Sequence, residues 1–340
     1  MMTRRTVGRW LLRSLLVVLL IYFGAALGMS AWPVPGFSTL ADGSPEAARE
    51  QGLSLDQVYP FEEHHFTTRD GEELFARHFA ADDLALTVLM VHGMTGESSQ
   101  FNRTAGLLRE ATGAEVYALD LRGHGQSGGR GGDVDHIGQY EEDLVDVVST
   151  LRQERPGGGL ILSGHSMGGG IAQRYAQLSG SPPVDGYLLY APLLGPGAPT
   201  TRTEPPPEAS EVEPWLKLDV PRIVGLVMLN AVGVTGLNGL PTAACHVTEG
   251  ARVSEYSFRA LASTGPRSYV AGLEAFDAPL LLLVGSEDEA FLADEYTPLV
   301  EEHTRVPARV EVVAGANHNG IHHDPRAVSL AADWLARLKR

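Results

Sequence analysis

The stretch LSGHSMGGG, residues 162–170, decides how the rest of the sequence is interpreted. It places glycine two positions before and two positions after Ser166. The residues LILSG on one side are an apolar run typical of a strand, and GGGIAQRYAQLSG on the other side is typical of a helix. A G-x-S-x-G pattern at such a junction predicts a sharp, strained turn, because glycine leaves room where the strand and the helix pass closely.

Strands and helices alternate over the rest of the chain. An Asp70-Gly71 turn predicts an early hairpin. Further strands are predicted in LTVLMVHG (86–93), EVYALD (115–120), DGYLLYAP (185–192), PLLLLVGSED (279–288) and RVEVVAG (309–315), with helical patterns between them. This alternation predicts an α/β fold, with a mostly parallel central sheet, helices on both faces and a domain over residues 59–340.

Composition excludes several classes of partner. The chain has 340 residues, is 44% hydrophobic and carries a formal net charge of −16. An acidic protein repels phosphate backbones, so we expect no nucleic-acid partner. The single cysteine, Cys245, excludes an internal disulfide and a cysteine-based metal site. Composition leaves the oligomeric state unknown.

The N-terminus carries a hydrophobic segment. Arginines at 4, 5, 9 and 13 precede residues 14–32, which contain no charged side chain. That length matches a membrane-spanning helix of about 20 residues. The preceding arginines place the N-terminus in the cytoplasm and the domain on the non-cytoplasmic side.

Two other interpretations of residues 1–32 stay open. Ala26 and Gly28 form a small-x-small sequence, so the segment also fits a cleaved signal peptide of a secreted protein. A buried core helix is disfavoured because the segment has no polar face. Residues 33–58 are rich in proline, glycine, serine and charge, which predicts a linker.

A serine hydroxyl is a weak nucleophile and needs a base, which in turn needs an orienting carboxylate. Asp288 and His318 each follow a predicted strand, and in a parallel sheet such loops meet at one edge. We therefore expect Ser166, Asp288 and His318 to form a catalytic triad without a metal or organic cofactor.

Other residues compete for these roles. Glu287 and Asp294 are alternative acids, and His124, His322 and His323 are alternative bases. We expect His124 to be structural, and His322 and His323 to begin a surface turn or the final helix. The cluster HNGIHHD lacks a metal-binding framework such as H-E-x-x-H, so no metal site is predicted.

Several ordered motifs resemble the α/β-hydrolase superfamily, and within it the monoacylglycerol lipase and lysophospholipase branch, which is of the serine aminopeptidase S33 type. They are VHGMTGES (91–98), ALDLRGHGQSGGRGG (118–132), YEEDL (140–144), GHSMGGGIA (164–172), GSED (285–288) and NH (317–318). The resemblance covers roughly residues 60–335. It implies that Ser166 is the nucleophile, His318 the base and Asp288 the residue that orients His318.

The resemblance also implies an oxyanion hole built from the backbone N–H groups of Met94 and Met167. His92 and Gly93 begin the loop that carries Met94. The turn and the loop would be supported by His92, Gly93, Gly164, His165 and Gly168.

Residues 193–257 are expected to form a small cap between two core strands. They begin with a proline-rich stretch and continue with the apolar residues 223–234, which are too short to span a bilayer. Two roles stay open for this apolar stretch: a helix packed on the domain, or a lid that touches acyl chains or the membrane.

The expected activity is hydrolysis of carboxylic esters through an acyl-enzyme, most simply of monoacylglycerol- or lysophospholipid-type lipids. The partners are then a small-molecule or lipid ester substrate and the membrane. Ser166 argues against epoxide hydrolases and dehalogenases, which use aspartate at this position. A peptidase of the proline iminopeptidase type and a perhydrolase remain alternatives. A non-catalytic, membrane-tethered binding protein is a further alternative, though it has no need of a triad.

Overall fold

Eight strands form one sheet with the order β1-β2-β4-β3-β5-β6-β10-β11. The computed structural model describes residues 4–37, 41, 58–81, 85–202 and 214–338. The strands of the sheet are β1 (Glu62–Thr67), β2 (Glu73–Phe79), β3 (Leu86–Val91), β4 (Glu115–Leu119), β5 (Gly159–His165), β6 (Gly186–Tyr190), β10 (Leu280–Gly285) and β11 (Ala308–Val313).

The sheet is parallel from β4 to β11. Strand β2 pairs antiparallel with both of its neighbours, β1 and β4, and with β1 it forms the hairpin predicted at Asp70-Gly71. The strands β3, β4, β6 and β10 are buried at every position, which explains why they are continuous apolar runs rather than alternating ones. The predicted α/β class and mostly parallel sheet are confirmed.

Helices cover the sheet in two packed groups, α2 with α9 and α3 with α4. The helices of this domain are α2 (Asn102–Thr112), α3 (Gln139–Glu154), α4 (Met167–Ala176), α8 (Tyr296–His303) and α9 (Pro325–Leu338). Helix α2 ends at Thr112, and the next residue, Gly113, has the positive φ of 64° that commonly terminates a helix. Tyr59 is buried, and its ring fills the space beside Gly106.

The cap lies between β6 and β10. It contains a three-stranded antiparallel sheet of β7 (Leu216–Leu218), β8 (Pro241–Cys245) and β9 (Glu255–Ser257), with helices α5 (Val220–Ala231), α6 (Phe258–Leu261) and α7 (Tyr269–Glu274). Helix α5 corresponds to the apolar stretch expected at 223–234. Part of the proline-rich stretch, residues 203–213, lies outside the described residues.

The N-terminal helix α1 spans Arg4–Ser30. Its segment Gly8–Ser30 is long and apolar enough to cross a membrane, by length and composition. The C-terminal turns of α1 pack against the cap helix α5. Most of the predicted linker at 33–58 lies outside the described residues.

Candidate active site

The turn at Ser166 has the strained geometry that its sequence predicts. Strand β5 ends at His165 and helix α4 begins at Met167, which leaves Ser166 alone between them with φ 52° and ψ −115°. A positive φ is costly for a residue with a side chain and persists only where its surroundings enforce it. Here the Ser166 N–H donates to the Tyr190 carbonyl at 3.0 Å, and its carbonyl accepts from the Leu193 N–H at 2.9 Å.

The two flanking glycines are required by close packing. A Cβ on Gly164 would lie 2.4 Å from the carbonyl carbon of Gly168. A Cβ on Gly168 would lie 2.1 Å from the carbonyl oxygen of Val91, at the end of β3. Since backbone atoms cannot move aside as a flexible side chain does, only glycine fits at either position.

Asp288 and His318 are brought together as predicted. The His318 Nδ1–H donates to Asp288 Oδ2 at 2.8 Å, and Asp288 is buried. The other carboxylate oxygen of Asp288 accepts the N–H groups of Ala290 at 2.9 Å and Phe291 at 2.7 Å. This arrangement fixes the proton on Nδ1, so Nε2 of His318 is left as the basic nitrogen.

His165 connects the serine turn to His318. Its Nε2–H donates to the His318 carbonyl at 2.9 Å, and the two imidazole rings lie 4.8 Å apart. A Cβ added to Gly93 would lie 3.2 Å from both the Ser166 Cβ and His165 Nδ1, so the loop after β3 reaches the same place. Among the described residues, no hydrogen bond joins the Ser166 hydroxyl to His318. Such bonds often tighten only when substrate is bound.

The two expected oxyanion donors are backbone N–H groups, one at the start of α4 and one in the loop after β3. Met167 is the first residue of α4, and amides in the first turn of a helix have no acceptor within it. The Met94 N–H has no acceptor within the part of the chain that the structure describes. The next residue, Thr95, has φ 55° and donates its N–H to the Tyr256 hydroxyl at 2.7 Å.

His92 supports the loop that carries Met94. Its Nε2 accepts the Leu121 N–H at 3.1 Å, so its Nδ1 carries the proton and donates to the Gly93 carbonyl at 2.8 Å. Burial lowers the pKa of His92 to about 4, despite the hydrogen bond to Gly93. The ring is therefore neutral at physiological pH, and both nitrogens serve the loop backbone.

His124 is structural, as expected. It is buried, and its Nδ1 lies 3.0 Å from the Arg122 carbonyl, to which it donates. The Tyr256 hydroxyl then donates to His124 Nε2 at 2.8 Å. Burial, with a smaller effect of His92, lowers the pKa of His124 to about 3.

The expectation for His322 and His323 is correct in part. Ile321–His323 form a turn of 3₁₀ helix before α9, but His322 is buried rather than on the surface. Its Nδ1 lies 2.9 Å from the Thr104 Oγ1, and its ring is 5.1 Å from that of Phe101. The turn is covered because α2 packs against it, which a local sequence pattern does not reveal.

The structure adds residues that the sequence did not single out. Glu289 accepts the His318 N–H at 2.9 Å, and Arg202 donates to the Asp288 carbonyl at 3.0 Å. Glu287 and Asp294, the alternative acids, are both exposed. No motif marks Glu289, because it contacts a backbone group and is one of several acids in SEDEAF.

Part of the sequence matches a protein family, and part is similar to named lipases. Residues 83–238 match the family described as serine aminopeptidase, S33. Over 116 residues the chain is 33% identical to the monoacylglycerol lipase of Mycolicibacterium smegmatis, an alignment that covers 32% of this chain and 41% of that one. The chain thus spans about two fifths of the length of the first curated relatives that it matches.

Solved structures extend the likeness over nearly the whole chain. The monoacylglycerol lipase of Paleococcus ferrophilus superposes with a TM-score of 0.53 and 20% identity, covering 82% of this chain and 100% of that one. A membrane phospholipase A, described as a bacterial virulence factor, superposes with a TM-score of 0.56 and 17% identity over 99% of this chain and 100% of that one. The chain therefore has the α/β-hydrolase fold, and it is similar in sequence to monoacylglycerol lipases and to the S33 family.

Proposed function

We propose that this protein is a serine hydrolase of carboxylic esters, with Ser166 as nucleophile, His318 as general base and Asp288 as the orienting acid. The observation that carries the proposal is a strained serine turn beside a buried Asp288–His318 pair. A structural serine needs no positive φ, and a histidine held by a buried carboxylate is the usual partner of such a serine.

The chemistry follows from this arrangement. His318 Nε2 takes the hydroxyl proton as Ser166 Oγ attacks the ester carbonyl carbon. The backbone N–H groups of Met94 and Met167 stabilise the oxyanion, and His318 then protonates the leaving alcohol. Water repeats the sequence and releases the carboxylic acid. This chemistry needs no cofactor.

A lipid ester is the substrate class that we favour. Several of the curated relatives are named monoacylglycerol lipase or monoglyceride lipase. The helix α1 would hold the domain at a bilayer, where such substrates concentrate. Arginines precede its apolar segment, so the positive-inside rule places the catalytic domain on the non-cytoplasmic side.

A peptidase is the second candidate, since the matching family is described as a serine aminopeptidase. The two activities share the same triad and differ in the leaving group. A panel of monoacylglycerols, lysophospholipids, short acyl esters and aminoacyl amides separates them. Hydrolysis of the amides in preference to the esters would favour the peptidase.

The test of the proposal is Ser166→Ala in the full-length protein. We expect loss of fluorophosphonate labelling and a fall of several orders of magnitude in ester hydrolysis, since loss of one triad member has that effect. An unchanged far-UV circular dichroism spectrum would show that the variant is folded. Retention of about a tenth of the parent rate, far above that expectation, would exclude Ser166 as the nucleophile.

A further inference from the structure

The cap helix α5 presents an apolar face to its surroundings. Its exposed positions Val220, Val224, Val227 and Ala231 recur at helical spacing. Flanking apolar side chains are exposed as well, namely Trp215, Leu218, Val232, Val234 and Leu237. This exposed surface is apolar, although the protein as a whole carries a net charge of −16. Such patches mark contact with another protein or with a membrane.

The surroundings of this face in the sequence are also uncharged. Arg222 is the only Asp, Glu, Lys or Arg between Asp219 and Glu249. Its side chain is buried and does not contribute to the exposed face. The exposed positions of α5 and of residues 232–237 therefore carry no charged side chain.

The opposite side of α5 holds the end of the N-terminal helix. Ala26 and Ser30 of α1 are buried there, and a Cβ on Gly225 would lie 2.5 Å from the Ala26 carbonyl oxygen and 2.7 Å from Ser30 Oγ. Small residues allow helices to approach closely in this way, as they do at helix interfaces within membranes. The Tyr22 hydroxyl adds a hydrogen bond to the Met228 carbonyl at 2.7 Å.

The buried guanidinium of Arg222 caps the C-terminal end of α1. The Arg222 guanidinium donates to the Ser30 carbonyl at 3.1 Å and to the Trp32 carbonyl, and Asp219 lies 3.3 Å from its Nε. A cation at the C-terminal end of a helix satisfies free carbonyl groups and complements the helix dipole. The last turns of α1 are therefore built into the cap.

The position of the α1–α5 contact along α1 determines how deep α5 would lie relative to a bilayer. Gly8–Ser30 is 23 residues long, or roughly 35 Å at 1.5 Å per residue, against a hydrocarbon core of about 30 Å. The residues that contact α5, Tyr22 to Ser30, are the last turns of that segment. If α1 spans the bilayer, α5 lies at its polar–apolar boundary.

We propose that α1 and α5 form one membrane-docking unit, in which Val220, Val224 and Val227 contact acyl chains and α1 stays in the mature protein to hold the cap there. This inference rests on the proposed membrane anchor, and it adds the position of the cap relative to the bilayer. The lipid bilayer is the favoured occupant because the apolar face adjoins the spanning helix. Cleavage near Met29 would remove Ala26 and expose Leu226 and Leu229 of α5.

The test measures depth with full-length protein in vesicles of phosphatidylcholine and phosphatidylglycerol. A nitrobenzoxadiazole label on Val224→Cys should be quenched by lipids with a nitroxide on acyl carbon 5, and a label on the exposed Glu302→Cys should not. Protein with only the buried Cys245 serves as the labelling blank. Unquenched label at 224 in membrane-bound protein would overturn the proposal, as would disulfide-linked dimers through position 224 without quenching.

The helix contact is tested by matched glycine variants. Gly225→Ala should reduce quenching at 224 while the protein still sediments with membranes, because the added Cβ meets the α1 backbone. Gly24→Ala, on a part of α1 with open space around it, should leave quenching unchanged. Equal quenching in both variants would show that α1 does not hold α5 at its depth.

A surface variant covers the case in which Gly225→Ala does not fold. Val227→Asp keeps the packed side of α5 and should lower quenching at 224, whereas Val312→Asp, at an exposed valine on β11, should not. Retention of α1 is read directly by mass spectrometry of the N-terminus, and a mature start near Met29 would contradict it. These readouts need no turnover, so they stand even if the proposed hydrolase activity fails.

Discussion

At the scale of single residues, the position of His318 depends on its backbone as well as its ring. The ring donates to Asp288, the carbonyl accepts from His165 and the N–H donates to Glu289. These contacts come from two segments of the chain, the loop after β10 and the end of β5. Each restricts a different part of the residue, so together they define where Nε2 can lie.

Glu289→Ala tests this positioning role. The His318 N–H loses its acceptor, and a hydrogen bond of this kind contributes about 1 kcal/mol, so we expect kcat to fall about fivefold with little change in KM. Glu289→Gln keeps an oxygen acceptor and should restore most of the rate. If the glutamine variant is as slow as the alanine variant, the charge of Glu289 matters and the hydrogen bond does not explain its role.

The residues of the predicted triad were accessible to sequence reasoning because each follows a strand end or lies in a motif. Glu289 and Arg202 were not, because their contacts to backbone groups can be made by many residue types and leave no pattern. The burial of His322 was missed for a related reason. It depends on α2, which is remote in sequence and meets the turn only in the folded chain.

At the scale of elements, the cap reaches the loop that carries Met94. Strand β9 places Tyr256 so that its hydroxyl accepts the Thr95 N–H and donates to His124. Thr95 has a positive φ of 55°, which needs support from its surroundings. The cap therefore supports the proposed oxyanion loop.

Tyr256→Phe removes that support without changing side-chain shape. The Thr95 N–H and His124 each lose a partner, so we expect kcat to fall about tenfold, corresponding to roughly 1.4 kcal/mol, with KM nearly unchanged. The matched control is Tyr140→Phe, at a buried tyrosine whose hydroxyl has no partner among the described residues. Steady-state kinetics on a soluble acyl ester compare the two variants. An equal effect of both would point to general loosening of the core.

The core elements were predictable and the cap sheet was not. Buried parallel strands such as β3 and β10 are apolar at nearly every position, and each ends at a glycine or a turn. The cap strands β7 and β9 have three residues each, too few for any period to emerge. They form because β8 lies between them, which is a tertiary contact.

At the scale of the whole molecule, the N-terminal helix α1 packs against the folded domain through the cap helix α5. Sequence reasoning separates an anchor at 1–32 from a domain that begins at 59, because the residues between them resemble a linker. The structure instead packs Ala26 and Ser30 against the cap. A chain that starts at residue 33 would therefore lack the α1 residues that cover part of α5.

Buried neutral histidines make the stability of the whole molecule dependent on pH. His92, His124, His165 and His322 are all buried, and burial lowers the pKa of each below its ordinary value. In the unfolded chain each takes up a proton near pH 6.5. Below that pH the unfolded state binds more protons, so stability falls as the pH falls.

For each of these histidines, the free energy of unfolding falls by about 1.4 kcal/mol for every pH unit below about pH 6. Asp143 acts in the opposite direction, because burial outweighs its ion pair with Arg122 and raises its pKa to about 6. The net slope from these five groups then corresponds to roughly three protons. Burial also lowers the pKa values of His64 and His323, which adds to the slope. Urea unfolding of the full-length protein in detergent at pH 7, 6 and 5 measures it, and a flat profile would contradict the prediction. His322→Asn should lower the slope by about one proton. A slope reduced by that amount would trace part of the acid sensitivity to the histidines packed around the proposed catalytic centre.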